Sequence, residues 1–365
     1  MDKRVFVAVT NDISTDQRVH KVCEYLIVKG YEITVYGRVL PDTFEVDRRY
    51  TIVRKKHWFN NNFLFYAEYN IRLLLYILFS KKYEYIHAND LDTLAASFLG
   101  AKLKGSKIIY DSHEYYTETP ELQGRKFAQG FWLMIERLFL PRVKNTITVS
   151  EPIVKEYDSK YGTKMKLLRN VPSLKRQIIK EEVSFPTKNK VVLYQGVLNP
   201  GRGLEPMILA LHELEGIDLV IIGFGKVKEQ LIQFVKDNNL ENRVHFLGRI
   251  AYEKLPNYTK IADVGMVLEE PQGKSFEYSL PNKLFDYIHT GIPIISSSLV
   301  EVKKIVEKYN VGLVIDNYSP KEIASKVKRL IEDDILRNQL IANQNKAKHE
   351  LCWESEVKIL DTFYP

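Results

Sequence analysis

The chain has 365 residues, 45% of them hydrophobic, with a formal net charge of +7. That is long enough for two cores and ordinary for a globular protein, and no run of about 18 apolar residues offers a membrane span. The charge is uneven: residues 1–180 sum to +10 and residues 181–365 to −3. A basic first half favours an anionic partner, either a phosphorylated substrate or an anionic membrane surface, although a lysine-rich solvated surface accounts for it as well. Nucleic acid is not expected, because the basic residues are scattered and no aromatic–basic module occurs. Two cysteines, Cys23 and Cys352, cannot build a disulfide framework and point to a reducing, cytoplasmic compartment. The opening MDKRVFVAVTND lacks the apolar core of a signal peptide.

RVFVAVTND (4–12) reads as a buried strand, residues 16–30 as an amphipathic helix ending at Gly30, and YEITVYGR (31–38) as a second strand. This β-α-β unit argues for a parallel sheet. Residues 58–85 and 125–144 are aromatic-rich, with basic edges. They read either as core-facing helices or as an apolar surface lying on a membrane. Strands follow at 83–90, 106–114, 145–151 and 164–170, with helices at 91–104, 127–141 and 152–160. From Val171 to about Lys190 the pattern gives way to charged residues with Pro172 and Pro186, as in a linker. The alternation then resumes with KVVLYQGV, IDLVIIGFG, RVHFLGRI, ADVGMVLEE, IPIISS and VGLVIDN. The fold class is therefore α/β, with two Rossmann-like doubly wound domains. Boundaries fall at 1–172 and 173–349, with a terminal helix, 350–365, returning to the first domain. Ligands in such sheets bind beyond the carboxyl ends of the strands, and two facing domains would leave a cleft between them.

Within SFEYSLPNKLFDYIHTGIPIISS (275–297), Ser275–Tyr278 reads as strand-like, Ser279 as a helix N-cap, Pro281 as a first-turn residue and Gly291 as the stop. The N-terminus of such a helix attracts anions. Lys283 adds a charge there, and Asp286, one turn on, can accept hydrogen bonds from hydroxyls. Phosphate at the helix end and sugar hydroxyls at the acid suit a nucleotide-sugar. An ordinary capped helix with a surface acid is the plainer alternative.

These residues resemble the family-4 glycosyltransferases of GT-B fold, the retaining "glycosyl transferases group 1", over nearly the whole chain. YSLPNKLFDYIHTGIPIIS is similar to that family's signature block, in which two acids stand eight residues apart. Asp286 matches the second, the ribose-binding acid, while Tyr278 stands where the first would be. YQGVLNPGRGLEPMILAL resembles the Gly-rich loop, with Arg202 at a diphosphate-binding position and Val197 at the other basic one, so that Lys283 compensates. IIGFGK and HFLGRIAYEK resemble the strand end and the nucleobase block. The resemblance thus implies donor contacts from Gly196, Arg202, Gly223, Gly225, Arg249, Tyr278, Leu280, Asn282, Lys283 and Asp286. IIYDSHEYYTE resembles the strand end that carries an active-site histidine, here His113. Catalytic roles fall to His113, Arg202 and Lys283.

The implied activity is retaining transfer from a UDP- or GDP-sugar to a glycan or lipid-linked acceptor; the basic first half and its aromatic-rich segments suggest a peripheral place at the inner face of the plasma membrane. No cofactor and no metal are implied. Asp90 and Asp92 match the Asp-x-Asp metal motif of another glycosyltransferase fold, but they open a helix, and capping is the simpler account. A nucleotide-sugar 2-epimerase of the same fold and a non-catalytic sugar-nucleotide-binding subunit are the alternatives.

Overall fold

All strand pairings are parallel, so each strand needs a crossover, and helices supply most of them. The computed structural model describes residues 3–40, 45, 47–176 and 178–365. By contacts the chain divides into two units, Met1–Arg169 with Val357–Pro365, and Asn170–Glu356.

The first unit holds strands β1 (Arg4–Ala8), β2 (Glu32–Arg38), β3 (Thr51–Lys55), β4 (Tyr85–Asn89), β5 (Lys107–Ser112), β6 (Asn145–Thr148) and β7 (Lys166–Leu167), in the order β3-β2-β1-β4-β5-β6-β7. Its helices are α1 (Gln17–Val28), α2 (Asn62–Phe79), α3 (Leu91–Lys104), α4 (Lys126–Phe139) and α5 (Glu151–Tyr161). The edge strand β3 has no counterpart in the sequence reading, because it is short and mostly half-buried and shows no apolar alternation. Only Lys166–Leu167 of the 164–170 segment pairs with the sheet.

The second unit holds β8 (Lys190–Gln195), β9 (Ile217–Ile222), β10 (Val244–Gly248), β11 (Val264–Val267), β12 (Ile294–Ser296) and β13 (Gly312–Val314), in the order β10-β9-β8-β11-β12-β13. Counted within the unit this is 3-2-1-4-5-6, the doubly wound order. Helices α6 (Leu204–Ala210), α7 (Lys228–Asp237), α8 (Leu255–Thr259), α9 (Lys274–Glu277), α10 (Asn282–Thr290), α11 (Val300–Tyr309), α12 (Pro320–Glu332), α13 (Asp334–Glu350) and α14 (Trp353–Glu356) complete it. Two apolar clusters flank the sheet: Leu219, Ile221 and Met266 pack with α6 and α12, while Val220, Val267 and Leu193 pack with α10 and α11.

Residues 350–356 group with the second unit, not with the first as the sequence suggested. Local bonds explain this. Trp353 N–H donates to the Pro172 carbonyl at 2.9 Å, and the Glu354 carboxylate accepts from Ser173 Oγ at 2.5 Å and Leu174 N–H at 3.1 Å. Residues 357–365 do belong to the first unit, where Tyr364 is buried and its hydroxyl lies 2.7 Å from His87 Nδ1.

Helices α2 and α4 each have a core-facing side and an exposed apolar side. Helix α2 buries Phe65, Tyr69, Leu73 and Ile77 at helical spacing, yet it leaves Phe63, Leu64, Ile71, Leu75 and Phe79 exposed. Helix α4 buries Trp132, Glu136 and Phe139 and exposes Phe127, Met134 and Leu138. The two helices meet where Phe63 and Phe131 lie edge to face, with centroids 5.2 Å apart. Beside them Trp58 is 83% exposed but held in place. Its N–H donates to Glu68, and Arg72, paired with Glu68 at 2.8 Å, lies over its ring. None of the described helices is long and apolar enough to cross a membrane.

Candidate active site

In a 3-2-1-4-5-6 sheet the crevice opens where strand order reverses, beyond the carboxyl ends of the first and fourth strands. In the second unit those strands are β8 and β11. Strand β8 runs out at Gln195 and Gly196. Strand β11 runs out toward Leu268 and Glu269, of which Glu269 is fully buried. A buried carboxylate needs cationic partners, and it has two. Lys283 Nζ lies 2.7 Å from Glu269 Oε1 and Arg202 Nη1 lies 3.5 Å from the same oxygen. Lys283 also sits over the Tyr194 ring, 3.9 Å from its centroid, and the Arg202 guanidinium lies 4.7 Å from that of Phe276. Arg202 and Lys283, both assigned to the diphosphate from sequence, are therefore brought together, though on an acid the sequence reading did not single out. Its signal was present: LEE ends an apolar strand at the functional edge of the sheet.

The glycines of the site let main chain approach main chain. A Cβ at Gly223 (φ +156°) would overlap the Gly196 carbonyl oxygen, and one at Gly225 would overlap that of Leu198. A Cβ at Gly196 would stand 3.4 Å from Lys283 Cε. Lys283 thus lies beside the loop position where Val197 stands in place of a basic residue.

Helix α10 starts one residue later than the sequence suggested. Pro281 occupies the N-cap with ψ 136°, and no side chain caps it. Ser279 is not the cap; its hydroxyl donates to the Phe276 carbonyl at the end of α9. Nor is Ser275–Tyr278 strand-like: Lys274–Glu277 forms a helical turn that ends at Tyr278. Gly291 closes α10 with φ +79°, as its place in the sequence predicts. Asn282 accepts from Asn170 Nδ2 at 3.0 Å. Leu280 packs at the edge of the α10 cluster, and Arg249 lies over the Phe224 ring at 4.8 Å.

Asp286 is buried and engaged. Its Oδ1 accepts from Arg176 Nη1 at 2.9 Å and its Oδ2 from Gln195 Nε2 at 3.2 Å. Gln195 is fixed in turn by Thr259, whose hydroxyl donates to its Oε1 at 2.8 Å. Arg176, from the irregular segment read as a linker, stacks on Tyr252 with its guanidinium carbon 3.4 Å from the ring centroid. No periodicity marks Arg176, so the sequence held no signal for it.

The first unit repeats the logic at the ends of β1, β4 and β5. His113 follows β5. Its Nε2 lies 3.1 Å from Asn89 Oδ1 and 3.7 Å from Asp111 Oδ2, and its Nδ1 lies 3.4 Å from Asp90 Oδ2. Burial favours the neutral imidazole, but the Asp90 and Asp111 carboxylates outweigh it and lift the His113 pKa to about 9. Asp111 is held by Arg18 through two nitrogens, at 2.7 and 3.0 Å. Burial opposes its charge, yet Arg18, His113 and His87 keep its carboxyl well below the usual range. Arg18, 3% exposed, lies among the apolar positions of α1, a legible signal that the sequence reading passed over.

Asp90 does not cap α3. It sits at the N-cap position with φ +59°, makes no capping bond, and accepts instead from the His113 N–H at 2.8 Å. Asp92 accepts from Thr10 Oγ1 at 2.5 Å. Burial and the Asp90 charge push its pKa up to about 7. Among the described residues no group of three or more His, Cys, Asp or Glu could hold a metal ion.

Two family models cover most of the chain. The one described as "Glycosyl transferases group 1" matches residues 175–347, and "Glycosyltransferase Family 4" matches residues 16–172. An uncharacterised glycosyltransferase of Methanocaldococcus jannaschii is 24% identical over 363 residues, covering 92% of this chain and 90% of that one. A second from the same organism is 29% identical over 179 residues, and that match spans 44% of its length. Among solved structures, a sucrose-phosphate synthase from Thermosynechococcus elongatus superposes with a TM-score of 0.79 at 18% identity, covering 99% and 98% of the two chains. The Anabaena protein HepE in complex with UDP and glucose does so with 0.75 at 15% identity, covering 99% of both.

Proposed function

The chain belongs to the family-4 glycosyltransferases of GT-B fold, and from that premise we propose that it transfers a sugar, with retention, from a UDP- or GDP-sugar to a glycan or lipid-linked acceptor. The observation that carries this reading is the meeting of Arg202 and Lys283 beside the Gly196–Gly223 main chain. Two fixed cations at the carboxyl edge of a doubly wound sheet are suited to a leaving diphosphate, whose negative charge grows as the bond from the anomeric carbon to phosphate oxygen breaks. The acceptor oxygen forms its new bond on the same face, and its proton passes to the leaving phosphate. Asp286 takes the ribose hydroxyls. His113, at the functional edge of the first unit, donates to a sugar hydroxyl.

The reaction on this reading needs no divalent metal, because Arg202 and Lys283 supply the positive charge that a metal would otherwise bring. The enzyme works at the cytoplasmic face of a membrane, held there peripherally by the exposed side chains of α2 and α4.

The test is calorimetric titration with UDP-, GDP- and ADP-sugars, followed by transfer assays in excess EDTA with the anomeric configuration of the product read by NMR. Inversion would end the retaining assignment. Activity lost in EDTA and restored by Mg²⁺ would end the metal-free one. Epimerisation of a UDP-sugar with no acceptor present would favour the 2-epimerase instead.

A further inference from the structure

We propose that Arg176 is a positioning residue for the donor, acting through Asp286; this rests on the reading of Asp286 as the ribose acid. A carboxylate accepts from both hydroxyls of a vicinal diol best when its plane is fixed. Asp286 is 6% exposed, and a buried carboxylate needs a cationic, hydrogen-bonding partner. Arg176 is that partner, with a charge-assisted bond at 2.9 Å. It is oriented in turn by stacking on Tyr252 and by a second bond, from Nη2 to the Tyr252 carbonyl. Gln195 holds the other carboxylate oxygen from the end of β8.

Arg176 is itself placed by main-chain bonds. Its N–H donates to the Ser173 carbonyl at 3.2 Å, and Ser173 and Leu174 are anchored on Glu354. Beyond it, Ile179 N–H donates to the Glu253 carbonyl at 3.1 Å, and Asn257 Nδ2 to the Ile179 carbonyl at 2.7 Å. The segment is therefore fastened on both sides of Arg176.

The experiment is calorimetric titration of UDP and GDP and of their 2′-deoxy counterparts into wild-type protein, Arg176→Ala, Arg176→Lys and Asp286→Asn, each checked for native circular dichroism. The wild type is expected to prefer the ribose form of its diphosphate by about tenfold, the scale of one charged hydrogen bond. Arg176→Ala is expected to erase that preference by weakening the ribose form alone, and Arg176→Lys to restore part of it. If Arg176→Ala does not fold, Arg176→Gln replaces it, with the same expectation.

Equal weakening of both forms would mark a merely structural arginine and overturn the proposal. Tighter binding by Arg176→Ala would mark a competitor for the acid and overturn it too. Loss of the preference in Asp286→Asn but not in Arg176→Ala would overturn Arg176 alone. An intact preference in Asp286→Asn would remove the ribose reading itself. Binding of neither diphosphate by the wild type would remove the donor reading, and the inference with it.

Discussion

Lys283 Nζ and Glu269 Oε1 stand 2.7 Å apart, with 7% of one side chain exposed and none of the other. Neither charge is well solvated, so each depends on its partner. Removing one partner of such a pair costs about 3–5 kcal/mol. We expect Lys283→Ala to lose stability on that scale in urea denaturation, because Arg202, at 3.5 Å, is left as the cation nearest Glu269. Glu269→Gln strands the Lys283 ammonium, 7% exposed, without its anion and is expected to lose on the same scale, whereas the double variant Lys283→Ala with Glu269→Gln is expected to lose less than the two single losses added together. Additive losses would mean that the pair is not what stabilises this corner.

His113 sets a pH dependence. Its folded pKa, about 9, lies above the 6.5 of an ordinary imidazole. The stabilisation it provides is therefore complete below 6.5 and lost as pH rises through 9. Asp92 and Glu114, pushed up to about 7 and about 8, also titrate inside that window, in wild type and variant alike, so the imidazole is read from the difference between the two proteins. The stability difference between wild type and His113→Asn should shrink steadily from pH 6.5 to 9, measured by denaturant midpoint in matched buffers. A difference that stays constant across that range would remove the charged-imidazole account.

Gly223 tolerates no side chain. At φ +156°, with the Gly196 carbonyl oxygen where a Cβ would go, alanine forces the ends of β8 and β9 apart. Backbone strain alone costs about 1–3 kcal/mol, and the overlap adds to it. Gly223→Ala should lower the melting temperature and weaken nucleotide binding together. At Gly130, where a Cβ would meet nothing within 4 Å, alanine should do neither.

Trp58 and Phe127, 83% and 87% exposed, make the membrane proposal measurable. Sedimentation with anionic liposomes should be strong in low salt. It should weaken toward 1 M, as the screening length falls from ~10 Å at 0.1 M to ~3 Å. Trp58→Ser with Phe127→Ser should reduce binding without changing the melting temperature, since neither side chain is in the core. Absence of binding at low salt would refute the peripheral assignment.

What could be read in advance follows from what leaves a local mark. Parallel strands buried on both faces are written as apolar runs, so β1, β8, β9 and β12 were legible, and with them the doubly wound architecture. Gly291 ended its helix where predicted, because a φ near +79° selects glycine. Pairings distant in sequence left no mark. Arg176 reaches Asp286 across 110 positions and Arg18 reaches Asp111 across 93. A linear reading could notice Arg18 as a charge among apolar positions, or Arg202 and Lys283 near a loop, but not which acid each one meets. Ser279 misled because serine caps either helix end, and only the geometry of the loop shows that it closes α9 instead of opening α10.

The first unit is discontinuous along the chain, since Val357–Pro365 returns to it after Glu356. Domains usually fold in the order in which they leave the ribosome, but here the first unit cannot be completed until the whole of the second has been synthesised. All residues of the second unit are synthesised before the first receives its last piece, Tyr364, whose ring stacks on His87 and packs against Tyr31 and Tyr85. A chain ending at residue 356 would contain every residue of the second unit beside an unfinished first one. His87, whose Nε2 lies 3.6 Å from Asp111, would then lack the cover that Tyr364 gives it. The part of the protein made first is thus the last to be completed.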